Sequence, residues 1–295
     1  MTKEREVLWT PSQERYATST MAKFEQYLHN EFNLTFSNYN EMWNWSITEL
    51  EVFWNAISQF FDLRFFEPPR MVLGKRDMPG AEWFPGAKVN YADQVLSHSE
   101  KLLEQLAFVS ISETFGRKEI SWHELKQKVA AIAHAFKKMG VTKGDRVVAL
   151  LPNTEVALIA FLATSSLGAL WSICAPDMGH VAILDRFKQI KPKLLIAQNG
   201  YIHAGKTIDR SQVLKIINQG LESLQKVITV PVIEKGFEGD RLWPDLLTNK
   251  ASFNPTPVPF DHPLWVVYSS GTTGNPKPIV PKPPELIHFL GSSNL

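Results

Sequence analysis

The chain has 295 residues, 44% hydrophobic and 21% charged, the balance of a soluble globular protein with room for one large domain or two ordinary ones. Its 31 basic and 30 acidic residues leave a formal net charge of +1, so no whole-molecule field argues for nucleic acid or an anionic membrane, and any anion binding has to be local. The single cysteine, Cys174, excludes an internal disulfide and lies in the apolar run Ala169 to Cys174, which reads as core.

The first six residues, Met1-Thr-Lys-Glu-Arg-Glu6, lack a signal-peptide core and are too acidic for a mitochondrial presequence. No stretch approaches the roughly 18 apolar residues that span a bilayer. A cytosolic, reducing location is the expectation.

Residues 1 to about 66 are rich in Trp and Phe at helical spacing. Phe24, Tyr27, Leu28 and Phe32 form one stripe, and Leu50, Phe53, Trp54, Ile57, Phe60 and Phe61 form another. Ser46-Ile-Thr-Glu49 has the pattern of a capping box ahead of the second helix. Pro68-Pro69 and the segment Met78 to Gly86 read as ordered loop, after which Asn90 to Leu96 starts a further helix.

From about residue 107 strands and helices alternate. Ala107 to Ile111 and Arg117 to Ser121 suggest a hairpin turning at Gly116. Ser121-Trp-His-Glu124 is a second capping box, opening a helix that Gly140 stops. Asp145 to Leu151 is a buried strand, Thr154 caps a helix ended by Gly168, and Ala169 to Cys174 is the next strand. A helix from about Val181 to Ile190, a strand Leu194 to Ala197, a helix over 211–224 and a strand Lys226 to Val230 continue the series, before a loop-rich connection containing Trp243-Pro-Asp-Leu-Leu247. Such alternation predicts right-handed crossovers and a mostly parallel sheet with helices on both faces, an α/β architecture preceded by an aromatic-rich helical region.

The last strand, Trp265 to Tyr268, reads as buried and runs into Ser-Ser-Gly-Thr-Thr-Gly-Asn-Pro-Lys277. Glycines let a backbone approach an anion, consecutive N–H groups and hydroxyls supply donors, and a lysine adds positive charge, so the stretch is a candidate polyphosphate loop. It is not a Walker A sequence, because Pro276 stands where that motif needs Gly-Lys. The eight histidines show no ligand spacing, and no zinc site is expected.

Tyr268 to Lys277 resembles the phosphate-loop motif of the adenylate-forming synthetases, a superfamily that includes acyl-CoA synthetases, peptide-synthetase adenylation domains and luciferases. Trp83 to Ala92 is similar to the segment that leads into the main domain of acetyl-CoA and acetoacetyl-CoA synthetases. Further upstream and downstream, Leu8 to Arg15, Trp43 to Ser46, Gly144 to Val148, Leu167 to Ser172, Ala175 to Gly179, Leu184 to Lys193 and Gly205 to Arg210 resemble the acetoacetyl-CoA synthetase family in order and character. The resemblance covers residues from about 8 to 280.

It implies a helical N-terminal region over 1–100, a partial AMP-binding domain over 101–280 and a divergent tail over 281–295. It also implies acid–thiol ligation: acetoacetate attacks the α-phosphate of ATP to give an acyl-adenylate and pyrophosphate, and CoA then displaces AMP. Ser269, Ser270, Gly271, Thr272, Thr273, Gly274 and Lys277 would hold the ATP phosphates, with Thr272 or Thr273 as contacts for Mg2+. Lys206 is a candidate for a CoA phosphate, or else a solvated loop lysine.

After Val280 the chain departs from the family pattern, with prolines at 281, 283 and 284. The catalytic lysine, the acyl pocket and the adenine and ribose contacts are expected beyond this sequence. The strand carrying the loop is therefore expected to leave an open edge, and the chain alone to be inactive. The other readings are a non-catalytic truncated isoform or pseudogene product, and an independent nucleotide- or CoA-binding module.

Overall fold

A computed structural model of the chain describes residues 8–100, 102–269 and 276–280. They fall into two compact units, residues 8–86 and 87–280.

The first unit holds four helices, α1 (Gln13–Ala17), α2 (Thr20–Phe32), α3 (Tyr39–Thr48) and α4 (Leu50–Phe60). Phe24 and Leu28 of α2, Met42 of α3 and Ala56 of α4 are buried at its centre, with Tyr27, Trp45, Phe53 and Phe60 packed around them. The rings meet mostly edge to face, as Phe24 and Phe60 do at 5.1 Å between centroids and 61°, the geometry the ring quadrupole favours. The aromatic stripes thus form core as their spacing suggests, although Trp43 on the outer side of α3 remains 50% exposed. The capping box expected at Ser46 does not form. Ser46 lies inside α3, where its hydroxyl donates to the Trp43 carbonyl, and Glu49 occupies the N-cap of α4 with no side-chain cap bond. Ser19 and Asn38 are the residues that cap α2 and α3.

The second unit begins with β1 (Lys88–Val89), α5 (Tyr91–Leu96) and the antiparallel hairpin of β2 (Leu106–Ser112) and β3 (Gly116–Ser121). There follow α6 (Trp122–Lys138), β4 (Arg146–Leu150), α7 (Glu155–Ser166), β5 (Leu170–Cys174), α8 (His180–Ile190) and β6 (Leu194–Gln198). The chain continues through β7 (Gly200–His203), β8 (Lys206–Asp209), α9 (Ser211–Gly220), β9 (Lys226–Val230), β10 (Arg241–Leu242), α10 (Trp243–Leu246) and β11 (Val258–Pro259). It closes on β12 (Val267–Ser269) and β13 (Lys277–Ile279).

Five strands form one all-parallel sheet in the order β10-β9-β6-β4-β5. Successive side chains of a strand point to opposite faces. Val148, Leu150, Leu195, Ala197 and Val227 share one face, under Ile183 and Phe187 of α8 and Leu214 and Ile217 of α9. On the other face Phe161 of α7 packs against Trp171 of β5. The connections out of β4 and β5 therefore travel over opposite faces, the arrangement expected from the alternating pattern.

Two capping expectations need correction. At Ser121 only half the box forms: its hydroxyl accepts from the Glu124 N–H at 3.2 Å, but the Glu124 carboxylate pairs with Lys128 instead of turning back. At the start of α7, Thr154 holds the N-cap position but its buried hydroxyl makes no hydrogen bond. Ser110 from β2 takes over, accepting from the Glu155 N–H and donating to the Glu155 carboxylate at 2.8 Å. Gly140 and Gly168 end α6 and α7 as expected, each in the left-handed region.

Candidate phosphate-binding site

The segment before the candidate loop is laid along the free side of β5 by a series of bonds. Thr256 N donates to Ser166 O at 2.7 Å, and the ring Nε2 of His262 lies 2.8 Å from Gly168 O. Trp171 N donates to Leu264 O, and Val266 N donates to Trp171 O at 2.7 Å. Ser172 Oγ then donates to Val266 O at 2.8 Å. Residues 264–266 thereby extend the parallel sheet by one short neighbour of β5, through the bridge between Trp171 and Trp265.

Asn90 anchors the beginning of this path. It is 2% exposed, its amide nitrogen lies 2.9–3.2 Å from the carbonyls of Ser165, Ser166 and Thr256, and its Oδ1 accepts from Asp93 N to cap α5. One side chain joins the end of α7, the start of α5 and the strand approach to the site. The Trp83 to Ala92 segment singled out in the sequence carries this residue.

Beyond Val266 the strand leaves the core. Val267 is 42% exposed, which corrects the expectation that Trp265 to Tyr268 is buried throughout. β12 pairs antiparallel with β13, so the edge expected to lie open is partnered over Val267–Ser269 by the chain itself. The pairing sets Ser269 directly opposite Lys277, and both are exposed. Directly opposed side chains stand on one face of a ladder about 5 Å apart at Cβ. The Ser269 and Lys277 side chains therefore leave the ladder on the same face. Ser270, Gly271, Thr272, Thr273 and Gly274 lie outside the described residues.

Beside the hairpin opens a cleft of about 360 Å³, lined by β5 residues, Ala175, Met178, Arg186 and Trp265 to Tyr268. Burial pushes the Tyr268 phenol up to about 12, with nearby Cys174 adding and the Ser172 hydroxyl and Arg186 charge opposing. The phenol is thus neutral at physiological pH and donates to Arg186 O at 2.8 Å, while the Arg186 guanidinium sits over its ring. Cys174, 4% exposed, has its thiol pushed up to about 11 by burial, so it behaves as the small apolar residue the sequence suggests and not as a thiolate.

Lys206 is not on a plain loop. It opens β8, paired with His203 across a tight turn whose Ala204 and Gly205 both have positive φ. The hairpin leans on the β2–β3 turn, with Gly205 N donating to Glu113 Oε2 and Ile202 N to Thr114 Oγ1. Lys206 is exposed and does not line the cleft. Among the described residues no group of three or more His, Cys, Asp and Glu could hold a metal ion, and no helix is long and apolar enough to cross a membrane.

The sequence profile of the AMP-binding enzyme family matches residues 98–292, and that of the acetyl-coenzyme A synthetase N-terminus matches residues 39–95. The chain belongs to the AMP-binding enzyme family. Its relatives within that family include acetoacetyl-CoA synthetases. The chain is 35% identical to that of Danio rerio across 94% of its own length and 43% of the relative's, and 32% identical to that of Rhizobium meliloti (strain 1021) across 92% and 42%. The solved structure of acetoacetyl-CoA synthetase from Streptomyces lividans matches with a TM-score of 0.94 and 37% identity, over 99% of this chain and 46% of that one. The chain thus spans under half the length of these relatives and corresponds to their N-terminal part.

Proposed function

We propose that this chain supplies the phosphate-holding part of an acetoacetate–CoA ligase. The observation that carries the reading is the pairing of Ser269 with Lys277, which brings the two described ends of the motif together on an exposed hairpin with the lysine and the serine directly opposed. In the reaction, acetoacetate attacks the α-phosphate of ATP and pyrophosphate leaves; CoA then replaces AMP to give acetoacetyl-CoA. Two anions must approach in the first step, so donors and positive charge around the β- and γ-phosphates lower its barrier.

Ser269, Ser270, Thr272 and Thr273, with the N–H groups of Gly271 and Gly274, would donate to those oxygens, and Lys277 would offset their charge. Thr272 or Thr273 would be the protein contact for Mg2+, which when bound would supply further positive charge to offset the phosphates. Lys206, exposed at its hairpin tip, would meet a CoA phosphate. We assign none of these residues to adenine, ribose or the acyl group, and no general base or catalytic lysine. The division into 1–100, 101–280 and 281–295, and a cytosolic location, belong to the same reading.

Titration of the purified chain with MgATP and with pyrophosphate tests it. Lys277→Ala is expected to weaken both by about tenfold, the loss of roughly one charge-assisted contact. Equal affinity of variant and wild type for both ligands overturns the assignment. Acetoacetate-dependent pyrophosphate release, measured in parallel, reports whether the first step proceeds on this chain.

A further inference from the structure

The helix α8 touches the candidate hairpin at two points, one on each side of the loop. Upstream, the Tyr268 hydroxyl donates to Arg186 O at 2.8 Å and the Arg186 guanidinium lies 5.8 Å from the centre of the Tyr268 ring. Downstream, Gln189 Nε2 donates to Pro276 O at 2.9 Å, while the same nitrogen also donates to Asp185 O in its own helix at 2.7 Å. Arg186 is held in turn, its guanidinium donating to Ala182 O at 2.7 Å.

Arg186 and Gln189 are three residues apart and so stand on one face of the helix. That helix is itself fixed to the sheet by Ile183 and Phe187, both fully buried. Tyr268 precedes Ser269, and Pro276 precedes Lys277, so one contact, through the Tyr268 side chain, and the other, on the Pro276 carbonyl, fall next to Ser269 and Lys277.

We propose that α8 is a two-point clamp that sets the spacing of the ends of the phosphate loop, with Gln189 and Tyr268 as positioning residues for phosphate binding. The inference rests on the phosphate-loop reading and extends it to Gln189, outside the motif, and to Tyr268, a motif residue not assigned a phosphate contact. A β-hairpin of two three-residue strands has little rigidity of its own. A cation and a row of donors bind a polyphosphate well only if their separation is fixed before the ligand arrives. Here the fixing comes from the helix that follows β5, through one phenol and one carboxamide. Gln189 is exposed and lies outside the buried core, so its role is separable from core packing.

The test uses the full chain with Gln189→Ala, Gln189→Glu, Tyr268→Phe and Lys277→Ala. Three quantities are read: affinity for pyrophosphate and MgATP, hydrogen exchange of the Val267, Lys277 and Ile279 amides without ligand, and the thermal midpoint. Gln189→Ala and Tyr268→Phe are expected to weaken both ligands by about three- to tenfold and to speed exchange in the hairpin. Gln189→Glu should weaken them more, since a carboxylate neither donates to Pro276 O nor welcomes an anion nearby. The midpoint of both Gln189 variants should match that of the wild type.

If Lys277→Ala weakens binding while the other variants leave affinity and exchange unchanged, the clamp is overturned and the loop reading stands. If the wild type binds neither ligand, the loop reading falls and with it the claim on phosphate affinity. Exchange then decides whether α8 holds the hairpin at all: faster exchange in Gln189→Ala supports the grip, and unchanged exchange removes it.

Discussion

The two units are built from different materials. In residues 8–86 the core is a set of rings on three helices, with Phe24, Leu28, Met42 and Ala56 buried and most of the surrounding aromatics only partly covered. In residues 87–280 a parallel sheet of Val, Leu, Ile and Ala is closed on both faces, and α7 has 11 of its 12 residues buried, Leu158 being the exception. Aromatic helices can gain from ring–ring geometry even when half covered, because each ring presents a large area and a directional edge. A parallel sheet cannot: its strands pair only through long crossovers, and both faces must be sealed. The candidate site sits where that sealing ends, at β12 and β13, whose residues include the exposed Val267 and Ile279.

The sharpest way to break this contrast is to remove one residue from each core. Phe187→Ala, at a fully buried ring beneath the sheet, should cost about 3–5 kcal/mol through lost transfer energy and the cavity left behind. Tyr27→Ala, at a partly exposed ring in the helical unit, should cost about half as much or less. Urea unfolding followed by tryptophan fluorescence measures both, and equal costs would dissolve the distinction.

Asn90 gives the next largest effect. Asn90→Ala leaves the carbonyls of Ser165, Ser166 and Thr256 without that donor and α5 without its cap, at about 2–4 kcal/mol. Asn90→Asp should be worse, since a carboxylate would face three carbonyl oxygens. The same urea experiment separates them, and an Asp variant milder than Ala would disprove the geometry.

Much of this is legible in the sequence itself. Helix stripes such as Phe24, Tyr27 and Leu28 are local patterns, and β4, β5, β6 and β9 are short apolar runs bounded by Gly, Pro or charge. What stayed hidden depended on partners far away in the chain. The capping of α7 passes to Ser110 because β2 happens to lie there, 45 residues upstream. The partner that covers β12 is β13, a strand containing a proline, which local propensity argues against. Of the site, the motif residues were readable from composition and order. Its supports were not: nothing local to Gln189 or Asn90 marks the contacts they make 87 and up to 166 residues away.

A change in acidity sharpens the comparison at intermediate scale. Burial alone would raise the carboxyls of Asp145 and Glu155. Hydrogen bonds from Lys193 and Thr142 to Asp145, and from Lys118 and Ser110 to Glu155, nevertheless hold both below their ordinary values of 3.8 and 4.5. A carboxyl lowered in the fold stabilises it above the unfolded value and loses that contribution as pH falls through the folded value. The sheet unit should therefore lose stability from about pH 4.5 downward. The double variant Asp145→Asn with Glu155→Gln should be less stable at pH 7 and show a flatter decline. A decline as steep as in the wild type would place the acid sensitivity elsewhere.

The smallest expected effect concerns what the two units share. Ser19 caps α2 by accepting from Ala22 N at 3.1 Å, and Ser121 caps α6 by accepting from Glu124 N at 3.2 Å. Each bond satisfies one of the donors a helix start leaves unpaired, and that requirement does not depend on what the helix packs against. Ser19→Ala and Ser121→Ala should therefore cost alike, about 1 kcal/mol each, despite the different cores behind them. Ser→Gly at either site should cost only a few tenths of a kcal/mol, because glycine leaves the helix end open to water. If both cap losses are small and equal while Phe187→Ala and Tyr27→Ala differ widely, the contrast between the units lies in how side chains fill space. If the Ser19 loss is instead several times larger, helix ends carry weight in the aromatic unit that ring packing does not supply.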